Sequence, residues 1–262
     1  MFSPKEVAQN YLNVCETKAN LPLGRMLVLS VLAGMFIALA GLASGTASAT
    51  LSGSAARLVS GCVFPAGLAM VVVAGSELFT GNSLMVMGLL ERRITLGALL
   101  RNYVVVWLGN LLGAMLVAAI AAFGHCFSAF GGDLAKAVVN TAAAKASLSF
   151  GDAFLRGVGC NFLVCIAVWM ANASKTAEGK ILAVFFPIAA FVIAGFEHCV
   201  ANMYYIPAGL FAAQIHGIPA EGLTWGACFL KNLLPVTLGN MVGGMVLVGC
   251  AGWYLYLLPD RK

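Results

Sequence analysis

Glu77-Leu78-Phe79-Thr80-Gly81-Asn82 follows the apolar run 62–75, and Glu197-His198-Cys199-Val200-Ala201-Asn202 follows the apolar run 180–196. Both strings read Glu, four residues, Asn, and an apolar stretch resumes after each. Ionisable groups at membrane depth are costly, and they face a pathway or a partner rather than lipid. Placed twice at matching positions, they point to a permeation site between two halves of one chain.

The rest of the chain fits that reading. With 61% hydrophobic and 10% charged residues and a mean hydropathy of +0.94, a soluble domain is excluded. A helix needs about 20 apolar residues to cross a bilayer. Six crossings are predicted, at 25–44, 58–90, 96–123, 152–174, 180–211 and 226–258. The second and fifth are too long for one straight span, so each is expected to be two half-helices around an irregular link. Such a link is tolerated only where protein or a watery cavity satisfies its backbone. Runs of short alternating strands are missing from the sequence, which argues against a barrel. The predicted class is therefore an all-α membrane protein.

Residues 1–24 read as a short amphipathic helix on the cytoplasmic side, not as a signal peptide. Ser3 is the expected N-cap and Pro4 the first helical residue. With the N-terminus inside, ten basic residues fall on the inner side (Lys5, Lys18, Arg25, Arg92, Arg93, Arg101, Lys175, Lys180, Arg261, Lys262). Five fall outside (Arg57, Lys136, Lys145, Arg156, Lys231). That bias predicts both termini in the cytoplasm of a multi-pass inner (plasma) membrane protein. The net charge of +5 then reports topology, and no nucleic-acid partner is expected. The eight cysteines form no C-x-x-C pair and read as packing residues, so no metal or cofactor is expected.

The third and sixth crossings repeat each other. Arg101-Asn102 leads to Leu108-Gly109-Asn110, and Lys231-Asn232 leads to Leu238-Gly239-Asn240, each pair 130 positions apart. The Glu-x4-Asn breaks are offset by 120. The first and fourth crossings match faintly through Met35-Phe36 and Asn161-Phe162. Three crossings per copy is an odd number, so the second copy must enter from the opposite side. The expectation is one transmembrane channel domain over 1–262, with a first repeat at 25–123 and an inverted second repeat at 150–258. The glycines of these strings let helices approach closely.

His198 is the one histidine placed at membrane depth. Imidazole changes charge near neutral pH, so it either exchanges a proton with a solute or stays neutral and bonds a freed carbonyl. Glu77 and Glu197 read as scaffold, satisfying backbone N–H groups at the start of the next half-helix. Asn82 and Asn202 fit the same task, and Asn202 is also within reach of His198. Thr80 offers a hydroxyl opposite His198. Phe64, Phe191, Leu68, Leu78 and Phe79 cluster near the breaks, as packing or as apolar constrictions. Lys145, in the long outer segment 124–151, is either a solvated loop lysine or a vestibule charge.

These strings resemble the formate/nitrite transporter family over nearly the whole chain, from about residue 22 to 258. The most specific parts are Gly75–Asn82, the stretch Asn161-Phe162-Leu163-Val164-Cys165-Ile166-Ala167-Val168-Trp169 and Gly195–Met203. The resemblance implies an aquaporin-like fold, a homopentamer in the bilayer, and conduction of small monovalent anions: formate first, nitrite or hydrosulfide next. It implies that His198 is the central pore histidine, with Thr80 facing it and Asn161, Glu197 and Asn202 around it. Phe64 and Phe191 would form the outer constriction and Leu68 and Leu78 the inner one, with Lys145 in the vestibule. Cys199 stands where serine is frequent in the family. Paired Asn-Pro-Ala ends are missing, which argues against a water channel. A cation-coupled carrier would use Glu77 and Glu197 as ion ligands. No nucleophile with a base supports an enzyme.

Overall fold

The computed structural model describes residues 1–258; Arg261 and Lys262, counted above for topology, lie outside them. Six apolar helices are long enough to span a bilayer, Leu23–Ser48, Gly53–Ala74, Leu96–Phe123, Phe150–Ala173, Ala177–Ala194 and Ala227–Tyr256. No strand occurs among the described residues. The protein is a multi-pass, all-helical membrane protein.

The chain opens with α1, Pro4–Ala19. Its Ser3 cap accepts from the Glu6 N–H, while the Glu6 carboxylate accepts from the Ser3 N–H at 2.7 Å. That N–H and the Ser3 hydroxyl hold the Glu6 carboxyl below the usual carboxylate range. The first span is α2, Leu23–Ser48. The second is α3, Gly53–Val63, and α4, Ala66–Ala74, bent at Phe64-Pro65 where proline removes a backbone donor. A 3-10 turn, Gly81–Met85, and the five-residue α5, Val86–Leu90, follow the break. Next come α6, Leu96–Phe123, α7, Asp133–Ala146, α8, Phe150–Ala173, α9, Ala177–Ala194, and α10, Cys199–His216. The last span holds α11, Leu234–Met241, and α12, Ala251–Tyr256, with wide i→i+5 winding at Ala227–Leu233 and Val242–Cys250.

Both links follow a left-handed glycine. Gly75 (φ 77°) ends α4 and Gly195 (φ 76°) ends α9, a conformation that costs an L-residue about 1–2 kcal/mol. The pieces that follow differ. The second link feeds an 18-residue helix, whereas the first feeds only the 3-10 turn and α5.

The predicted crossings need three adjustments. The first span, Leu23–Ser48, is longer than 25–44: Leu23 and Gly24 extend it at one end, and the small residues Gly45-Thr46-Ala47-Ser48 at the other. The segment 124–151 is not a plain loop: α7 fills half of it, burying Leu134, Ala135, Val139, Ala142 and Ala146. The faint match of crossings one and four is out of register by one. Backbone bonds pair Leu29 with Glu77 and Arg156 with Glu197, so the true offset is 127. In that register Val7, Ala8, Leu12, Cys15 and Ala19 of α1 correspond to the five buried α7 residues.

Candidate functional site

Each link is held by side chains from the span that follows it. Asn110 of α6 accepts the Phe79 N–H at 2.9 Å and donates to the Ser30 and Glu77 carbonyls at 2.7 and 2.9 Å. Asn240 of α11 accepts the Cys199 N–H at 2.9 Å and donates to the Gly157 and Glu197 carbonyls at 2.8 and 2.9 Å. One amide thus satisfies three backbone groups that a broken helix leaves open.

The carboxylates have different partners from those expected. Glu77 accepts from the Asn82 amide at 2.7 Å and pairs with Lys18 at 2.6 Å. Glu197 accepts from Asn202 at 2.6 Å and pairs with Lys145 at 2.9 Å. Asn82 and Asn202 also donate to Asn102 and Asn232, at 2.8 and 2.7 Å. The carboxylates do not cap backbone N–H groups, because the Asn110 and Asn240 amides already do. Nor does the Asn202 amide donate to His198: its two hydrogens go to Glu197 and Asn232. Lys145 is neither in a loop nor freely solvated. It sits in the last turn of α7, its side chain 17% exposed, with Nζ 5.3 Å from the Tyr205 ring centroid.

His198 caps α10. Its Nδ1 accepts the Ala201 N–H at 3.1 Å, so the ring hydrogen must sit on Nε2. Nε2 lies 2.9 Å from the Thr80 hydroxyl and therefore donates to it, leaving the Thr80 hydrogen free to turn elsewhere. A second ring proton would displace the Ala201 bond. Asn161 of α8 is wholly buried, with its amide nitrogen at 3.2 Å from the Thr80 carbonyl, 2.7 Å from the Asn240 carbonyl and 3.0 Å from the Ser83 hydroxyl, which ties the first link to α11. Cys165 Sγ reaches the same Thr80 carbonyl at 3.4 Å.

Three cavities share lining residues. A vestibule of about 440 Å³ has Lys145, Glu197, Asn202, Phe64, Phe191 and His198 in its wall. A second, of about 410 Å³, has Lys18, Glu77, Leu68 and Leu78 in its wall. A third space of about 10 Å³ is lined by residues of both walls, Phe64, Phe191 and His198 from the first and Leu68 and Leu78 from the second, together with Ile188. That is about the volume that holds one water. Phe64 and Phe191 meet edge-on at 5.8 Å, and the Phe191 ring stacks on His198 at 6.0 Å. Phe79 lines none of the three and packs on Tyr103 instead. Sequence reading missed Lys18, Asn102, Asn110, Asn232 and Asn240. The signal was present in the repeated Arg/Lys-Asn and Leu-Gly-Asn strings, whose asparagines were passed over for their glycines.

A family model described as formate/nitrite transporter matches residues 5–254. The chain belongs to the formate/nitrite transporter family. It is 43% identical to a probable formate transporter of Methanothermobacter thermautotrophicus over 97% of each chain. It is 38% identical to the formate channel FocA of Haemophilus influenzae, over 97% of this chain and 94% of that one. A solved FNT family ion channel superposes with a TM-score of 0.83 at 34% identity, over 96% of this chain and 97% of that one. A solved pentameric formate channel with formate bound superposes at 0.79 and 32% identity, over 90% and 98%. Members of the formate/nitrite transporter family with these names are channels and transporters, not enzymes.

Proposed function

We propose that this chain conducts small monovalent weak-acid anions, formate foremost, through the three cavities and past His198. The observation that carries this reading is the narrow space lined by Phe64, Phe191, Leu68, Leu78 and His198, residues it shares with the walls of the two larger cavities. A bare anion in a dry apolar passage suffers heavy desolvation, so the passage must offer replacement donors or remove the charge. The Thr80 hydroxyl, turned by its bond from His198, supplies one such donor. Phe64 with Phe191, and Leu68 with Leu78, exclude water and hydrated ions on either side. Lys145 and Lys18 hold the vestibule carboxylates so that neither presents a bare negative charge to an approaching anion. The relatives named formate channels support formate, and the pentameric neighbour supports assembly as a homopentamer.

The recurring asparagine and glutamate bonds support two inverted repeats about an axis in the membrane plane. Trp107 donates to Thr237 at 3.2 Å, and these residues occupy the same position in the two Leu-Gly-Asn strings. The basic-residue bias supports cytoplasmic termini in the inner (plasma) membrane.

A second reading has the solute cross as a neutral acid. Asn202 Oδ1 favours it: this buried acceptor has no partner among the described residues and lies in the wall of the His198 vestibule, where it would receive an acid O–H. Nitrite and hydrosulfide are the alternative cargoes. The test is uptake of formate, nitrite and hydrosulfide into proteoliposomes by one preparation across pH. Formate uptake absent at every pH sinks the proposal. A pH profile left unchanged by His198→Asn sinks the neutral-acid route.

A further inference from the structure

The charges of the two vestibules do not act alike. The wall that holds Lys145 and Glu197 also holds Arg57. Lys145 is committed to Glu197, and that pair carries no net charge. Arg57 is exposed and forms no ion pair among the described residues. Its Nη1 donates to the Ile193 carbonyl at 3.3 Å, near the end of α9, which uses one of five guanidinium hydrogens. The negative end of α9 thus anchors the side chain at the mouth and leaves most of the planar fork unspent. Across the membrane Lys18 is likewise committed to Glu77, and the cation in that wall without an ion pair among the described residues is Lys180. One mouth therefore carries an excess guanidinium and the other an excess ammonium.

We propose that Arg57 is the docking point for planar two-oxygen anions entering the Lys145-side vestibule. A guanidinium presents two parallel N–H groups that match a pair of coplanar oxygens, which an ammonium does not. Formate and nitrite have that shape; hydrosulfide, with a single sulfur acceptor, does not. The inference rests on the conduction reading above and adds a selection step to it at one mouth only.

The full-length protein is reconstituted in planar bilayers, and formate, nitrite or hydrosulfide at alkaline pH is supplied from one side at a time below saturation. Arg57→Gln should lower formate entry from one side about fivefold, with entry from the other side unchanged. Lys180→Gln should lower entry from the opposite side, which assigns the faces. Arg57→Lys should keep hydrosulfide entry while lowering formate and nitrite entry on the Arg57 side. That variant reads the ratio of anions and stands alone should Arg57→Gln fail to fold. No formate current in the unmodified protein overturns the conduction reading and this inference with it. Formate current in the unmodified protein, with Arg57→Gln unchanged or equally weakened from both sides, overturns the inference alone and leaves Arg57 as a cap on α9. Equal effects of Arg57→Lys on all three anions overturn the two-oxygen selection.

Discussion

The links at 75–80 and 195–198 share a scaffold and differ in chemistry. Glu77, Asn82, Asn102, Asn110 and Lys18 repeat as Glu197, Asn202, Asn232, Asn240 and Lys145, with bond lengths agreeing to within about 0.3 Å. The residues between them do not repeat. His198 stands where the first half has Leu78, and Thr80 where the second has Val200. The parts that close a broken backbone inside a membrane are needed in each copy, since every freed N–H and C=O must be satisfied. The polar pair at the centre is needed once, because a bond between the halves takes one member from each. Each half thus supplies part of a single centre: the first gives the hydroxyl, the second gives the imidazole.

The sharpest way to break this comparison is to remove the carboxylates one at a time. Glu77→Gln and Glu197→Gln each leave a part-buried lysine without its carboxylate and should cost about 1–3 kcal/mol, by equal amounts, in thermal unfolding of the detergent-solubilised protein. A loss confined to one half would show that the scaffold is not equivalent. Alanine at the left-handed glycines comes next, at about 1–2 kcal/mol each. Gly195→Ala should be the worse, because its Cβ would lie 3.2 Å from Arg57 Nη1, whereas a Cβ at Gly75 meets nothing within 4 Å. Equal unfolding temperatures for the two would show that Arg57 moves aside at no cost. His198→Leu makes the second half resemble the first and should lower formate flux about tenfold, roughly 1.4 kcal/mol of barrier. Flux at the unmodified level would remove the imidazole from conduction. The smallest effect is expected at the collar: Phe64→Ala should raise acetate flux about twofold relative to formate. Unaltered size selectivity would leave Phe64 as core packing.

Much of this was legible in advance, for identifiable reasons. The six spans follow from hydropathy alone, and the breaks from two glutamates that no lipid-facing helix would carry. His198 was visible because a histidine at that depth is rare. The opposing Thr80 could be guessed because its string matched. Lys145 lies in a helix rather than a loop; the alanine-rich turns of α7 look like a loop in sequence when their buried face is made of small residues. Lys18 was overlooked because it precedes the first crossing, outside the segment taken as the repeat. The register of the first and fourth crossings failed because helix packing there is set by backbone approach, which two matching letters do not report.

The sequence alone determined that the chain has six segments apolar enough to cross a membrane and that a Glu-x4-Asn string occurs in it twice. Those facts depend on composition and spacing, which one strand of letters carries in full. Only the tertiary structure decided which lysine neutralises which glutamate, which amides close the links, and that Phe79 turns away while Phe64, Phe191, Leu68 and Leu78 surround the centre. Those are contacts between residues tens of positions apart. A side chain's partner inside a membrane is set by which helices pack together, and no local pattern specifies that.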